Sequence, residues 1–268
     1  MLSPQTNFKR MMFAGLFSAL CFSQAAAAPA TCDRVVIGAG SDYPPLHWYD
    51  GHQLRGASVA LATRIFDEMG VPYEVRYFGP FPRLMANAQA GHLDVVTTLK
   101  QTPERAAFLT FTSMPAFINP VAVFVARERS FAYTGWSDLE GHKGGIVIGT
   151  RFGEPFDSYM RDKLKVESSS SLESNFKKLA LGRIDYLITG YYNGVAYMEG
   201  HKLQQQFKAL KPDLNETQNY VGFYSKSPCM RYYKEFDRRM AMLVKAGEPE
   251  KLIQNALSDW RAAPHTMR

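Results

Sequence analysis

The sequence predicts an α/β protein with mostly parallel sheets. Three observations point there. Short apolar or alternating runs recur along the chain, longer segments with helical apolar spacing stand between them, and Gly or Pro punctuates the junctions. The first predicted strand is Arg34 to Ala39. Ser58 is placed to cap a helix from Val59 to Met69, with Gly70 as its stop. Tyr73 to Tyr77 alternates and is rich in aromatics, as strands are. Pro82 opens the next helix in its first turn and Gly91 closes it. Leu93 to Thr97 reads as a third strand, and Val121 to Val125 as an extended, wholly apolar run.

The second half repeats the alternation. Ile146 to Ile148 is a short strand between glycines. A helix follows from Glu154 to Lys163, then the polar loop Ser168 to Ser171. Leu172 to Leu181 is predicted helical with Gly182 as its C-terminal stop. Ile184 to Ile188 and Asn219 to Tyr224 are strands. Helices Pro228 to Ala246 and Pro249 to Trp260 end the pattern, separated by Gly247. No internal repeat is visible.

The N-terminus reads as an export signal. Lys9 and Arg10 form a positive start, Met11 to Phe22 an apolar core, and Ala25 to Ala28 a small-residue cleavage region. The apolar run is too short to span a bilayer. Cys21 follows Leu20, where lipidated signals carry a small residue, so a lipoprotein is not expected. Processing near residue 30 leaves roughly 240 residues, enough for one or two domains. It also removes Lys9 and Arg10, taking the formal charge from +6 to +4. The remaining basic residues are scattered, which gives a nucleic-acid role no support. Cys32 and Cys229 survive processing. In an oxidising compartment such a pair tends to join, although two unpaired buried thiols remain the other reading. There is no Cys/His cluster with metal spacing; His47 and His52 in a turn-rich loop are poor evidence for one. No cofactor is expected.

The richest segment runs from Gly91 to Phe111. A strand ends in Thr97 and Thr98, a turn holds Pro103, and Arg105 begins the next apolar-periodic segment. An arginine beside hydroxyls at a strand end can donate two parallel hydrogen bonds to one carboxylate. It can equally cap a turn or pair with Glu104. The residues alone leave both readings standing.

Several short motifs extend over the rest of the chain: S-D-Y-P-P-L at Ser41 to Leu46, R-G-A-S-V-A-L-A at Arg55 to Ala62, A-G-H-L-D at Ala90 to Asp94 and T-P-E-R at Thr102 to Arg105. F-T-S-M-P at Phe111 to Pro115, D-L-E-G at Asp138 to Gly141 and I-G-T-R-F-G at Ile148 to Gly153 follow. L-G-R-I-D-Y at Leu181 to Tyr186 and Y-S-K-S-P-C at Tyr224 to Cys229 complete the set. In this order and spacing the chain resembles the family 3 extracellular solute-binding proteins, the amino-acid-binding class of periplasmic binding proteins. The resemblance implies two α/β lobes of the type II periplasmic binding fold, joined by two crossing strands that act as a hinge. Residues 1–30 would be the signal, 31–125 with 221–268 lobe 1, and 126–220 lobe 2. The crossings would be Val121–Val125 and Asn219–Tyr224, and the two cysteines would both fall in or near lobe 1.

The resemblance also implies residue roles. Arg105 matches the ligand-carboxylate arginine, with Thr98 and Lys100 lining the cleft before it. Tyr43 matches an aromatic that covers the ligand. Thr150 matches a lobe 2 loop whose backbone N–H groups meet the carboxylate, and Arg151 and Phe152 share that loop. Trp48, Phe81 and Arg83 sit in lobe 1 loops that usually face the ligand. One departure stands out. Members that bind standard amino acids often carry an aspartate, to hold the ammonium, where this chain has Gly190. Tyr191, Tyr192 or Asn193 would face the cleft instead, so a ligand without an α-amino group is open. The implied function is capture of a small carboxylate-bearing molecule in the periplasm for a membrane transporter, with an inner-membrane ABC permease as partner and a monomer as the expected state. Two alternatives exist on this fold. One is a dehydratase of the cyclohexadienyl type, for which Glu154 is the only nearby acid or base. The other is a free ligand sensor presenting its ligand to a receptor; the end of the chain soon after Trp260 speaks against a fused sensor but not against a free one.

Overall fold

Strand β1 (Val35–Gly38) is followed by a small antiparallel sheet of β2 (Asp42–Tyr43), β3 (His47–Tyr49) and β4 (Leu54–Arg55). Helix α1 (Ala57–Glu68), β5 (Tyr73–Val75), α2 (Phe81–Gln89), β6 (Val95–Leu99), the short α3 (Pro103–Ala106) and β7 (Leu109–Phe111) come next. The long β8 (Phe117–Ala126) leads to β9 (Lys143–Val147), α4 (Phe156–Lys163), β10 (Lys165–Ser169) and α5 (Leu172–Ala180). Then come β11 (Tyr186–Gly190), α6 (Tyr191–Gly200) and β12 (Phe207–Ala209). A second long strand, β13 (Asn215–Tyr224), precedes α7 (Tyr233–Lys245) and α8 (Glu248–Ala262). The computed structural model describes residues 1–2, 31–40 and 42–263. The export-signal reading of Lys9 to Ala30 lies outside the described residues. Among those residues no helix is long and apolar enough to cross a membrane.

The strands lie in the order β10-β9-β11-β8-β13-β6-β1-β5. Midway, β13 changes partners. Asn215–Asn219 pairs with β8, whereas Tyr220–Tyr224 pairs with β6 and β7. Strand β8 changes cores in the same way: Phe117 packs in the first, and Val121, Val123 and Val125 in the second. Two crossing strands therefore divide the α/β sheet into two lobes. The pairings are mixed rather than mostly parallel. β1 is parallel to β5 and β6, and β9 to β10 and β11, but every pairing of β8 and β13 is antiparallel. The Val121–Val125 run lies inside the second lobe's core instead of forming the crossing. Alternate residues of β8 enter cores on opposite faces, Val121, Val123 and Val125 on one and Ala122, Phe124 and Ala126 on the other. A strand buried on both faces reads as a continuous apolar run, so the run signals burial and not position in the hinge.

In the first lobe, Leu61, Ile65 and Phe66 of α1 meet Val35 and Ile37 of β1 and Phe236 and Met240 of α7. The ring of Phe66 lies 5.0 Å from that of Phe236. Each such buried side chain contributes roughly 1.5–3 kcal/mol. The opposite face of this sheet is covered by Leu84 and Ala88 of α2. Cys32 and Cys229 are joined in a disulfide, with Cα atoms 5.1 Å apart, tying the segment before β1 to the 3-10 turn Pro228–Tyr232.

Several local expectations change. Ser58 is not a cap: α1 starts at Ala57 after Gly56, and the Ser58 hydroxyl sits 2.9 Å from that of Thr97 inside the core. Ser168 and Ser169 end strand β10 rather than lie in a loop. The helix expected from Pro228 breaks into the 3-10 turn and α7. Helix α6 has no clear sequence signature. It carries Gly194, where a Cβ would come within 2.2 Å of the Phe124 ring, so tertiary packing and not propensity selects its residues.

Candidate functional site

The two lobes face each other across a cleft of about 1270 Å³. Its lobe 1 wall is built at the end of β6. Thr102 caps α3, its hydroxyl accepting from the Arg105 N–H at 3.4 Å, and Pro103 starts the helix with the φ it needs. This fixes where the Arg105 side chain leaves the backbone. Its Nη1 donates to the Lys100 carbonyl at 2.8 Å, and its guanidinium lies 5.2 Å from the centre of the Phe81 ring. The guanidinium has five N–H donors, so one bond and one ring contact leave it able to grip a carboxylate. Burial lowers the Arg105 pKa, but an arginine stays charged. The alternative partner, Glu104, is held by the Thr102 hydroxyl. Thr98 is buried beside these groups, and its hydroxyl is unpaired among the described residues.

The floor of the cleft is a neutral hydrogen-bond network. The Asn119 amide donates to the Tyr43 hydroxyl at 2.8 Å and to Asn193 Oδ1 at 3.0 Å. Asn119 Oδ1 accepts from the Tyr192 N–H, and Asn193 Nδ2 donates to the Pro44 carbonyl, both at 3.4 Å. These bonds join the β2 region, the crossing strand β8 and the start of α6. Gly190 lies against them: a Cβ there would sit 2.6 Å from Asn119 Nδ2 and 2.7 Å from Asn193 Oδ1. An aspartate could not occupy this position without displacing both amides. Burial also pushes the Tyr43 phenol pKa up, keeping it neutral.

The lobe 2 wall is the loop between β9 and α4, with Ser170 and Ser171 at the start of α5. Much of its backbone is already bonded. The Thr150 N–H donates to the Val147 carbonyl at 3.1 Å. The N–H groups of Phe152 and Gly153 donate to the Asp157 carboxylate at 2.9 and 3.1 Å. Three of the N–H groups in this loop, which the family resemblance would turn toward a ligand carboxylate, thus already have acceptors within the lobe. What the loop offers to the cleft is the Arg151 side chain, which is exposed. Its carbonyl accepts from Lys100 Nζ at 3.0 Å, a bond from one lobe to the other.

Of the residues singled out in the sequence, Tyr43, Trp48, Thr98, Lys100, Arg105, Thr150, Arg151, Phe152 and Asn193 come together around this cleft. Trp48 and Phe152 do so as core residues. Trp48 is buried, its ring 5.3 Å from that of Trp260, and Phe152 is buried against Phe156. Arg83 does not line the cleft. Two positions along α2 turn a side chain about 200° away from Phe81, so Phe81 faces Arg105 and Arg83 faces solvent. Glu154, the one candidate acid, is also off the lining; its carboxylate accepts from the Ser158 N–H at 3.2 Å.

The sequence reading missed Asn119 and His47. Asn119 had a usable signal: it is the one amide in an apolar extended run, and a buried amide must find partners. His47 is buried next to Tyr43, its ring centroid 5.5 Å away, and burial pushes its pKa down to about 4. Its neutral form is therefore the folded form. Among the described residues no group of three or more His, Cys, Asp or Glu is placed to hold a metal.

Comparison with known proteins adds context. The family model for bacterial extracellular solute-binding proteins, family 3, matches residues 35–259. The arginine-binding extracellular protein ArtP of Bacillus subtilis is 20% identical over 234 residues, which cover 87% of this chain and 89% of ArtP. The amino acid ABC transporter substrate-binding protein AbpA from Streptococcus pneumoniae, bound to L-arginine, superposes with a TM-score of 0.62 at 22% identity, covering 85% of this chain and 96% of that one. Substrate-binding domain 2 of GlnP from Lactococcus lactis, in its open conformation, gives a TM-score of 0.67 at 19% identity, with coverage of 86% and 98%. At these identities the two structures bear on the fold.

Proposed function

Since the chain belongs to the bacterial extracellular solute-binding proteins of family 3, we propose that it captures a small carboxylate-bearing molecule, an amino acid or related compound, in the interlobe cleft. Hinge closure about β8 and β13 then presents the ligand to an inner-membrane ABC permease from the periplasm, with the protein acting as a monomer. Arg105 carries the reading. Its guanidinium stands in the cleft, oriented by the Lys100 carbonyl and the Phe81 ring, with no carboxylate in ion-pair reach among the described residues. A preoriented arginine facing a cleft is suited to bidentate carboxylate recognition. Tyr43 and Asn193 form the floor beneath the ligand, Thr98 and Lys100 flank the arginine, and Thr150 and Arg151 face it from the other lobe.

The direct test is a thermal-shift screen of the purified protein against amino acids, organic acids and aromatic carboxylates. A ligand at a hundred times its Kd adds about 2.7 kcal/mol of stability. With the best ligand in hand, Arg105→Ala is expected to weaken binding at least tenfold, about 1.4 kcal/mol. Unchanged affinity would overturn the carboxylate assignment.

A further inference from the structure

Three cations stand around the cleft: Arg105 and Lys100 in lobe 1, and Arg151 in lobe 2. Among the described residues none of them forms an ion pair with a carboxylate, although surface lysines and arginines elsewhere on the molecule commonly do, as in Lys177–Glu173 and Arg64–Glu248. Lys100 extends across the cleft, where its ammonium donates one hydrogen bond to the Arg151 carbonyl at 3.0 Å. An ammonium has three donors, so two remain. Burial lowers the Lys100 pKa; the charge of Asp157 on α4 works against this, and the like charge of Arg105 adds to it. Opposite them the floor is neutral: Tyr43, Asn119 and Asn193 bond to one another, and Gly190 leaves no room for a carboxylate.

Three acids do lie on the cleft lining. Asp50 is bound by Arg55, and Glu173 by Lys177. Asp42 neighbours Tyr43 on β2 and lines the cleft; burial raises its carboxyl pKa, and among the described residues it forms no ion pair. Three cations thus gather around the cleft, against Asp42 as the one lining acid without an ion-pair partner among the described residues.

We propose that the ligand is a dianion without an ammonium group, a dicarboxylate or a carboxylate paired with a phosphonate, with Arg105 holding one anionic group and Lys100 the other. The inference rests on the carboxylate-binding reading above and names its substrate class. Closing the cleft over a ligand takes its cations out of water, and a second anionic group on the ligand would compensate Lys100 there. An ammonium at the same place would meet Lys100 as a like charge.

Calorimetric titration tests it with four probes of matched chain length: glutarate, a phosphonocarboxylate, a monocarboxylate and glutamate. The dianions are expected to bind at least tenfold tighter than the monocarboxylate, and glutarate tighter than glutamate. Whichever of glutarate and the phosphonocarboxylate binds more tightly identifies the second group. Lys100→Met is expected to weaken dianion binding at least tenfold more than monocarboxylate binding, erasing the dianion preference; Lys100→Arg keeps the preference. Equal affinity for mono- and dianions, or an equal loss for both in Lys100→Met, would make Lys100 a contact between lobes and overturn the proposal, with the carboxylate reading intact. Glutamate binding more tightly than glutarate would overturn the amine-free part and point to Asp42 as the acid. No binding by any of the four overturns the dianion proposal, while the carboxylate reading stands or falls separately with Arg105→Ala and the best ligand of the thermal-shift screen.

Discussion

The two walls of the cleft are made differently. In lobe 1 the cleft-lining groups are side chains fixed by packing: Arg105 between the Lys100 carbonyl and the Phe81 ring, Tyr43 on Asn119, and His47 buried behind them. In lobe 2 the corresponding loop has turned several of its backbone donors inward, to Val147 and Asp157, and presents the exposed Arg151. The contrast indicates a division of labour. On the proposed reading, lobe 1 would bind an anion without ordering its side chains first, and lobe 2 would cover it once the cleft closes.

Four experiments break or sharpen that contrast, taken from the largest effect down. The disulfide belongs to lobe 1 and closes a loop of 197 residues in sequence separation. Replacing both cysteines, Cys32→Ser with Cys229→Ser, is expected to cost about 2–5 kcal/mol in denaturant unfolding. A loss below about 1 kcal/mol would mean that packing around Phe66 and Phe236 holds lobe 1 unaided.

The second concerns His47. Its pKa falls from 6.5 to about 4 on folding because burial disfavours the charged ring. Between those values the unfolded chain binds the extra proton, so stability is fully present above pH 6.5 and is lost as pH falls toward 4. A shift of this size corresponds to up to about 3 kcal/mol. Denaturation at pH 7 and pH 4.5 reads it, and His47→Gln is expected to flatten the profile relative to the parent. An identical pH dependence in both proteins would remove His47 from the account.

Third, Asn119→Ala leaves the Tyr43 hydroxyl and Asn193 Oδ1 without their buried donor, an expected cost of about 1–3 kcal/mol. The readout is the midpoint of chemical unfolding. The smallest effect compares the walls directly. Arg151→Ala is expected to change affinity for the best ligand less than about threefold, well short of the tenfold for Arg105→Ala. Equal losses would make the two lobes equal partners in the first contact with ligand.

What sequence reading could reach follows from range. Arg105 was legible because its features lie within a few residues of one another: the T-P-E-R turn, the hydroxyls of β6 and the following apolar period. Most elements were legible for the same reason, since helical and strand periodicities are local. Helix α6 was not, because Gly194 and its neighbours answer to the Phe124 ring and to α8, which accepts no description from nearby sequence. Arg83 was misplaced for a related reason: the loop was read correctly as near the cleft, but helix phase decides which of its residues faces in.

By itself the sequence determined the α/β class and the family resemblance, and it marked Cys32 and Cys229 as able to pair and Arg105 as a candidate for a carboxylate. Only the tertiary structure decided the rest of the site. Asn119 meets Tyr43 from 76 residues away, and Lys100 meets the Arg151 carbonyl from 51 residues away. Asp157 accepts from the N–H groups of Phe152 and Gly153 in the lobe 2 loop. Each outcome turns on which donor reaches an acceptor first in the folded chain, and that competition is settled by distances that no local pattern of residues encodes.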